Sequence, residues 1–593
     1  MIRNFHKRHF SIYKGLTGAQ IIKKKLTEKN VKHTFIYSGG AIMPVIDTLY
    51  NSDIKYTINT HEQSLGHSAT GYAKSSGKPG VCIVTSGPGL TNLITPMLDA
   101  QNDSAPLIVF SGNVPLKAIG TQAFQECPAT DMTKPFTKWS KVVKNVHQLP
   151  NIIDKAWEIA NNKKPGCVHI DLPKCILTST YIKDDELKYQ NNPKLNKNKI
   201  LPKINYYTLS HLINKSKKPI VIIGKGCNKY QNELIKFISR SNIPVTSTIH
   251  GVGIFPENNY LSLKMLGMHG SPVANYAVNQ ADLIINLGSR FDDRITGNVD
   301  KFAPEAYNSF NKLEGGIIHV NIENTEINKN IKSHYNYVMD CKKFLDNITP
   351  FISYKERPDW MYTIQTWKKK HAFTYSKPHS NKLNTQMVID MINGYLPHSG
   401  KWKITTGVGN HQMWASQFIT YIKPNSLITS GSLGVMGAGL GYAIGTQIAN
   451  PDHLVINIDG DGSFNHTLSE LKTISNYNLP IKIAIMNDGQ MSMVRTWEKL
   501  FFDERYIATD LSGNPDYCKL AKSFGIRSIR CNSSKKLEEC VYEFLNFKGP
   551  ILCDFRTVSE MCYPLVAPGK ALDDMILFEN NNDTKFNSSD IPS

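Results

Sequence analysis

Two aspartates set among glycines carry the strongest chemical signal in the chain. Leu454-Val455-Ile456-Asn457-Ile458 reads as a buried strand that delivers Asp459-Gly460-Asp461-Gly462-Ser463 at its carboxyl end. A helical stretch through Leu468, Leu471 and Ile474 follows. Ile481-Lys482-Ile483-Ala484-Ile485-Met486 then reads as the next strand, ending at Asn487-Asp488-Gly489. In a right-handed β-α-β unit both strand ends open on the same side of the sheet, so Asp461 and Asp488 can converge on one cation. Hard oxygen ligands, with glycines that let backbone approach closely, suit Mg²⁺ bridging a diphosphate. Aspartate and glycine are also common in ordinary β-α turns. It is the full order, strand, GDGS, helix, strand, ND, that points to a diphosphate–metal site. A third carboxylate, Glu62 in His61-Glu62-Gln63, reads by itself as a solvated cap at the start of a helix.

The elements around these residues repeat. Strand-like Ile54-Lys55-Tyr56-Thr57-Ile58 leads through Glu62 into a helix that stops near Gly77; Val81-Cys82-Ile83-Val84 and Leu107-Ile108-Val109-Phe110 follow with helical stretches between. Strand–helix–strand repetition implies an α/β fold with doubly wound parallel sheets. Three such domains are expected, over residues 16–180, 205–345 and 380–570. A polar Lys- and Asn-rich linker at 183–203 and a second connector at about 350–385 separate them, and a loose tail is expected over 571–593.

Composition agrees with a large globular protein. The 593 residues exceed a single core, and 41% hydrophobic with 20% charged residues excludes a disordered or fibrous class. No apolar run reaches the roughly 18 residues of a membrane helix, so no membrane association is expected. The net charge of +19 is spread along the chain rather than gathered in a stripe, and no groove-reading motif accompanies it; no nucleic-acid partner is expected. Eleven cysteines stand singly without C-x-x-C spacing, which suits reduced thiols inside a cell. Residues 1–15 are basic and free of acids, the flavour of a mitochondrial or plastid presequence or of a disordered start to a cytoplasmic protein.

The GDG motif with an ND at the end of the next strand resembles the signature of thiamine diphosphate-dependent 2-oxoacid decarboxylases and carboligases. The resemblance implies that Asp461 and the side chain at 488 ligate Mg²⁺, with a backbone carbonyl near Gln490, and that Gly460, Gly462 and Ser463 face the diphosphate. The family usually has Asn where Asp488 stands; the extra negative charge beside a diphosphate lowers cofactor affinity unless Asn487 takes the role. His61-Glu62-Gln63 followed by Gly66-His67 and Gly71-Tyr72-Ala73 resembles the family's activating glutamate. A carboxyl of this kind protonates the aminopyrimidine, whose imino form removes the thiazolium C2 proton.

From about residue 16 to 570 the chain is similar to acetolactate (acetohydroxyacid) synthase catalytic subunits. Ser38-Gly39-Gly40-Ala41-Ile42 stands where that family has PGGAI, placing Gly40 in the site. Ala118-Ile119-Gly120-Thr121-Gln122-Ala123-Phe124-Gln125-Glu126 matches its substrate loop, in which Phe124 packs on the pyruvate methyl and Gln125 bonds the cofactor-bound intermediate. Gly407-Val408-Gly409-Asn410-His411-Gln412-Met413-Trp414 matches GVGQHQMW, so Val408, Asn410 and His411 hold the diphosphate. Met436 lies under the cofactor and bends it, with Met493 and Trp497 in the same register; singly, each also reads as core packing. Leu266-Gly267-Met268-His269-Gly270 and Gly288-Ser289-Arg290-Phe291-Asp292-Asp293-Arg294 look like that family's FAD-binding segments. The resemblance assigns Met268, His269, Gly288, Arg290, Asp292, Arg294, Glu323 and Asp340 to the flavin, together with Lys164, where the family has Arg.

The implied reaction decarboxylates pyruvate on thiamine diphosphate and joins the two-carbon unit to pyruvate or 2-oxobutyrate, at the head of branched-chain amino-acid synthesis. FAD has no net redox task in it. Glu62 and the GDG motif meet across a dimer interface in this family, so at least a homodimer with shared sites is expected, and a regulatory small subunit with it. Leu427, aligned with a large aromatic, is expected to leave room for either acceptor. Rival readings are a sister enzyme such as a 2-hydroxyacyl-CoA lyase or pyruvate oxidase, which lacks the AIGTxAFQE loop and the GMHG and RFDDR segments, and a silent binding protein, suggested by Ser38, Lys164, Asn410 and Asp488.

Overall fold

Short runs of aliphatic and β-branched residues, too short for helices and bounded by glycine and proline, become strands covered on both faces. Gly80–Val84, Leu107–Asn113, Cys167–Pro173, Pro219–Ile223, Leu283–Leu287, Gly316–Asn321, Trp402–Thr406 and Lys482–Asn487 are buried at every residue. That is the pattern of parallel sheets flanked by helices. The computed structural model describes residues 12–182 and 205–578 and divides them into two units, one N-terminal and one holding the central and C-terminal sheets.

The first unit has a six-stranded parallel sheet in the order Lys55–Ile58, His33–Ile36, Gly80–Val84, Leu107–Asn113, Cys167–Pro173, Trp139–Val142. The C-terminal sheet of the second unit repeats this order: Leu427–Ile428, Trp402–Thr406, Leu454–Gly460, Lys482–Asn487, Ile551–Arg556, Arg527–Cys531. The central sheet differs. Its order, Tyr335–Val338, Gly316–Asn321, Leu283–Leu287, Pro219–Ile223, Val245–Ser247, Ser262–Met265, is that of dinucleotide-binding sheets. The expected three α/β domains are therefore present, two alike and one distinct.

In each sheet the chain first winds to one side of a strand and then crosses to its other side, which leaves a crevice between two neighbouring strand ends. The crevices fall between residues 37–40 and 85–89, between 224–227 and 288–290, and between 407–411 and 460–463. These are the segments that carry the motifs.

Several boundaries differ from the expected ones. Residues 12–15 are already part of the first unit: Tyr13 donates to Glu28 and Gly15 N–H to the Tyr181 carbonyl at 2.9 Å. The tail expected to be loose from 571 is packed as far as 578, because Leu572 and Ile576 are buried and Met575–Ile576 pairs antiparallel with Leu565–Val566. Part of the second connector is the helix Pro358–Lys370, whose Trp360 is buried and donates to the Pro219 carbonyl. The presequence through residue 11, the linker at 183–203 and the tail beyond 578 lie outside the described residues. No helix among the described residues is long and apolar enough to cross a membrane.

Candidate active site

The C-terminal crevice is built of glycine because side chains fill the space where Cβ atoms would be. A Cβ on Gly407 would overlap the Asp459 carboxylate and the Ser463 hydroxyl, and one on Gly460 would lie 2.8 Å from Nδ1 of His411. Helix Asn410–Phe418 starts directly after Gly409, whose φ is +151°, and helix Asp461–Asn465 starts directly after the strand Leu454–Gly460. Peptide N–H groups of both helix starts thus rim one crevice, the arrangement that receives an anion. Ser463 accepts from Gly437 N–H at 2.9 Å and so ties the 434–437 turn to the GDGS segment. The Met436 methyl comes within 3.7 Å of where a Gly462 Cβ would stand, while Val408 is half-buried at the rim. Asn410 donates to the Glu560 carbonyl at 3.0 Å, and its buried Oδ1 has no hydrogen-bond partner.

Asp461 and Asp488 stand together at the ends of adjacent strands. Asp461 Oδ2 accepts from Gly489 N–H at 3.0 Å and from Asn514 at 2.6 Å. Asp488 accepts from Gln490 N–H at 3.1 Å and from the Ser492 hydroxyl. Burial, and next the neighbouring Asp488 carboxylate, push Asp461 up to about 7; burial raises Asp488 as well. Two desolvated acids that oppose each other's ionisation fit a divalent cation, which relieves both. No group of three or more His, Cys, Asp or Glu suited to a metal occurs among the described residues. Asn487 is not available for the role: it is on the opposite face of its strand from Asp488 and donates to Asp554 at 2.9 Å. Met493 packs against the core of this sheet, and Trp497 lies with Phe501, Met268 and Met561.

Glu62 belongs to the first unit. It is the first residue of helix Glu62–Ser76, whose cap is the His61 side chain accepting from Gln63 N–H. It is buried, and Asn92 donates to its Oε2 at 3.0 Å. In the crevice of this unit a Cβ on Gly39 would be 2.5 Å from Thr85, while Gly40 faces open space. The loop 118–126 folds on Glu126, which accepts from the N–H groups of Gly120 and Ala123. Gln125, at φ +62°, packs its backbone against Gly87, and Phe124 is left 88% exposed. Lys164 sits in the turn before Cys167–Pro173 with its carbonyl accepting from Lys138.

The residues of the second unit assigned to the flavin gather at the central crevice with one exception, and Lys164, assigned with them, belongs to the first unit. Gly224, Gly226 and Gly288 bring their backbones together: a Gly288 Cβ would be 2.6 Å from Gly226 Cα. Arg290 runs to Asp292 at 3.3 Å and to Ser432 at 2.8 Å. Arg294 reaches Met268 sulfur, and His269, held neutral by burial with its pKa lowered to about 4, contacts the Pro564 carbonyl at 3.1 Å. Glu323 follows the strand Gly316–Asn321 and is half-buried. The close glycine turn, the arginine beside it and the sheet order fit a dinucleotide such as FAD. Asp340 is the exception. Both its oxygens serve local structure, one capping helix Cys341–Ile348 and the other accepting from Tyr230 at 2.8 Å.

Leu427 pairs with Ile404 in the edge strand and is buried in the aliphatic core with Trp402 and Ile456, the same cluster that Met493 packs against. Sequence reading missed Asn92, Asn514 and Ser492, which no local pattern ties to their carboxylates. It also passed over Gly224-Lys225-Gly226, which a glycine pair directly after a buried strand could have signalled.

Three profiles of thiamine pyrophosphate enzyme domains match the chain: the N-terminal TPP binding domain over residues 16–133, the central domain over 208–348 and the C-terminal TPP binding domain over 407–555. The mitochondrial acetolactate synthase catalytic subunit of Saccharomyces cerevisiae is 42% identical over 585 residues, covering 95% of this chain and 84% of the yeast protein. Mitochondrial acetolactate synthase of Schizosaccharomyces pombe is 42% identical over 593 residues, covering 97% and 88%. The acetolactate synthase large subunit of Cyanidium caldarium is 39% identical over 578 residues, covering 94% and 96%. At this identity over nearly its whole length, and with all three domain profiles matched in order, the chain belongs to the acetolactate synthase family of thiamine pyrophosphate enzymes.

Proposed function

We propose that the chain decarboxylates pyruvate and joins the remaining two-carbon unit to a second 2-oxoacid, giving 2-acetolactate from pyruvate and 2-aceto-2-hydroxybutyrate from 2-oxobutyrate. Thiamine diphosphate, when bound, would supply an acidic thiazolium C–H as the nucleophilic carbon and an electron sink for decarboxylation. The chain's own residues bind, aim and exchange protons. Glu62 holds a proton for the aminopyrimidine ring, with Asn92 fixing Oε2 so that Oε1 is free to face it. Asp461 and Asp488 hold Mg²⁺ against the diphosphate, and the N–H groups that begin helices Asn410–Phe418 and Asp461–Asn465 take its oxygens. Met436 sits beside Gly462 as a wedge under the cofactor, and Phe124 and Gln125 meet the substrate. The observation that carries the reading is the Asp461–Asp488 pair in the glycine-walled crevice.

FAD is placed at the turn formed by Gly224, Gly226 and Gly288, with Arg290 on its phosphates; it takes no net part in the redox balance. Glu62 and the diphosphate crevice lie in different units of the chain. By the family resemblance we place the active site in at least a homodimer, a reading supported by the exposed Phe124 ring. Relatives named as catalytic or large subunits support a separate regulatory subunit. Relatives named mitochondrial or chloroplastic, and the acid-free basic residues 1–15, support an organelle as the site of action.

Turnover of pyruvate by the purified protein with thiamine diphosphate, Mg²⁺ and FAD tests the reading. Acetolactate formation that disappears on omitting thiamine diphosphate or Mg²⁺ is expected. CO₂ release with no acetolactate, or no turnover with all cofactors bound, rejects it.

A further inference from the structure

Asp459, the first aspartate of the DGDGS run, has no place in the reaction as described, yet it is fully buried. Its carboxylate fills a hollow that two glycines leave. A Cβ on Gly407 would overlap Oδ1, and one on Gly439 would stand 2.7 Å from Oδ2. Burying a carboxylate is costly unless a partner meets it. The contacts it has are loose: Asn457 Nδ2 lies 3.5 Å from Oδ2, and His411 Nε2 lies 3.4 Å from Oδ1. Neither Oδ1 nor His411 Nε2 has a hydrogen-bond partner, although both are buried. The carboxylate thus stands behind the Nε2 edge of the imidazole.

The opposite edge of that ring looks into the crevice. Nδ1 lies 2.8 Å from where a Gly460 Cβ would be and 3.1 Å from where a Gly409 Cβ would be. Those two glycines are the last residues before the helix starts that rim the anion site. Asp459, His411 and the crevice are therefore in line.

We propose that Asp459 is a positioning residue for the cofactor: by holding the Nε2 edge of His411 inward, it keeps the Nδ1 edge turned toward the diphosphate oxygens. An imidazole between two anions can donate to each, since both ring nitrogens carry hydrogen in its charged form. A carboxylate behind a histidine does this for metal sites, where its loss costs about 10–100-fold in affinity. The inference rests on the reading of this crevice as the diphosphate site, which saturable binding of thiamine diphosphate to the unmodified protein decides separately.

The test is the dissociation constant of thiamine diphosphate at saturating Mg²⁺, measured calorimetrically for the unmodified protein, Asp459→Asn, His411→Gln and the double variant, with the ³¹P spectrum of the bound cofactor. The amide is isosteric and fits the same hollow. Asp459→Asn is expected to weaken binding about tenfold or more and to shift the bound ³¹P resonances, with thermal unfolding unchanged. His411→Gln is expected to weaken binding at least as much, and the double variant no further than His411→Gln. Binding by Asp459→Asn equal to the unmodified protein, or losses that multiply in the double variant, overturns the proposal while leaving the diphosphate reading intact. If no protein binds the cofactor, both fall. Should Asp459→Asn not fold, Asp459→Ser, too short to reach the ring, replaces it. If neither folds, undiminished binding by His411→Gln overturns the proposal.

Discussion

Asn92 donates its amide to Oε2 of Glu62 at 3.0 Å, so one oxygen of the carboxyl we assign to cofactor activation is fixed and the other is left for a ligand. Removing the carboxyl and removing its holder therefore have different consequences. Glu62→Gln removes the carboxyl that exchanges the proton and is expected to slow deuterium exchange at thiazolium C2 by about 10²–10⁴-fold, the usual worth of a positioned acid or base. Asn92→Ala leaves the carboxyl in place but unaimed, and is expected to slow the same exchange by about tenfold while cofactor affinity changes little. Exchange followed by NMR after acid quench measures both. An Asn92→Ala protein that exchanges at the unmodified rate would show that Glu62 needs no such anchor.

Asp488 places a second formal charge where an amide would suffice. Asp461 is held by Asn514 and Gly489 N–H, and Asp488 by Gln490 N–H and the Ser492 hydroxyl. Asp488→Asn keeps an oxygen ligand and removes a charge that both Asp461 and a diphosphate oppose. At saturating Mg²⁺ the variant is expected to bind thiamine diphosphate several-fold more tightly, and to need more Mg²⁺ to reach half-saturation. Asp461→Ala is expected to lose Mg²⁺-dependent binding altogether. Titrations at fixed and varied Mg²⁺ separate the two effects, and weaker cofactor binding by Asp488→Asn at every Mg²⁺ concentration would refute the charge argument.

Leu427 is buried beside Ile404 in an edge strand, which turns a question of substrate choice into one of packing. Leu427→Ala is expected to destabilise the second unit by about 2–4 kcal/mol through lost contacts and the cavity left behind. The ratio of acetolactate to 2-aceto-2-hydroxybutyrate formed from equal pyruvate and 2-oxobutyrate should not move. Chemical denaturation and a product assay on one preparation check both halves; a changed ratio contradicts the placement.

Strands were legible because an unbroken aliphatic run has few alternatives: Gly80–Val84 is read within one residue of its observed start, and Lys482–Asn487 within one residue of its bounds at each end. The paired aspartates were legible for the same reason, since strand ends in a β-α-β unit open on one side. The helix expected through Leu468, Leu471 and Ile474 is in fact three pieces, Asp461–Asn465, Leu468–Glu470 and Leu471–Asn476. It breaks where the Thr467 hydroxyl leaves the local pattern to donate to the Gly437 carbonyl at 2.9 Å. That partner is thirty residues away in sequence. Leu572 looked like part of a polar tail because its neighbours are charged, and only tertiary packing shows it in the central core. Asn92 and Asn514 were illegible on the same ground: an asparagine's role is set by whichever carboxylate the fold brings to it.

Glu257 joins the turn after Phe255 to the segment before the edge strand Leu427–Ile428, accepting from Tyr421 N–H at 3.0 Å while its own N–H donates to the Tyr421 carbonyl at 2.9 Å. Its other oxygen is buried without a hydrogen-bond partner. Burial pushes its pKa from 4.5 up to about 7, against the smaller opposing pull of Lys264. The sign follows from proton binding. Between these values the folded chain holds a proton that the unfolded chain has released, so stability falls as pH rises. The contribution is whole below about 4.5 and is lost as pH climbs through about 7, amounting to about 3 kcal/mol at most. Glu257→Gln cannot ionise and keeps an acceptor for Tyr421 N–H. It is expected to unfold at a temperature that varies less between pH 5 and pH 8, and to be more stable than the unmodified protein at pH 8. Thermal unfolding across that range, with no cofactor added, measures it. An unchanged slope would mean that Glu257 ionises in the folded protein as readily as in water.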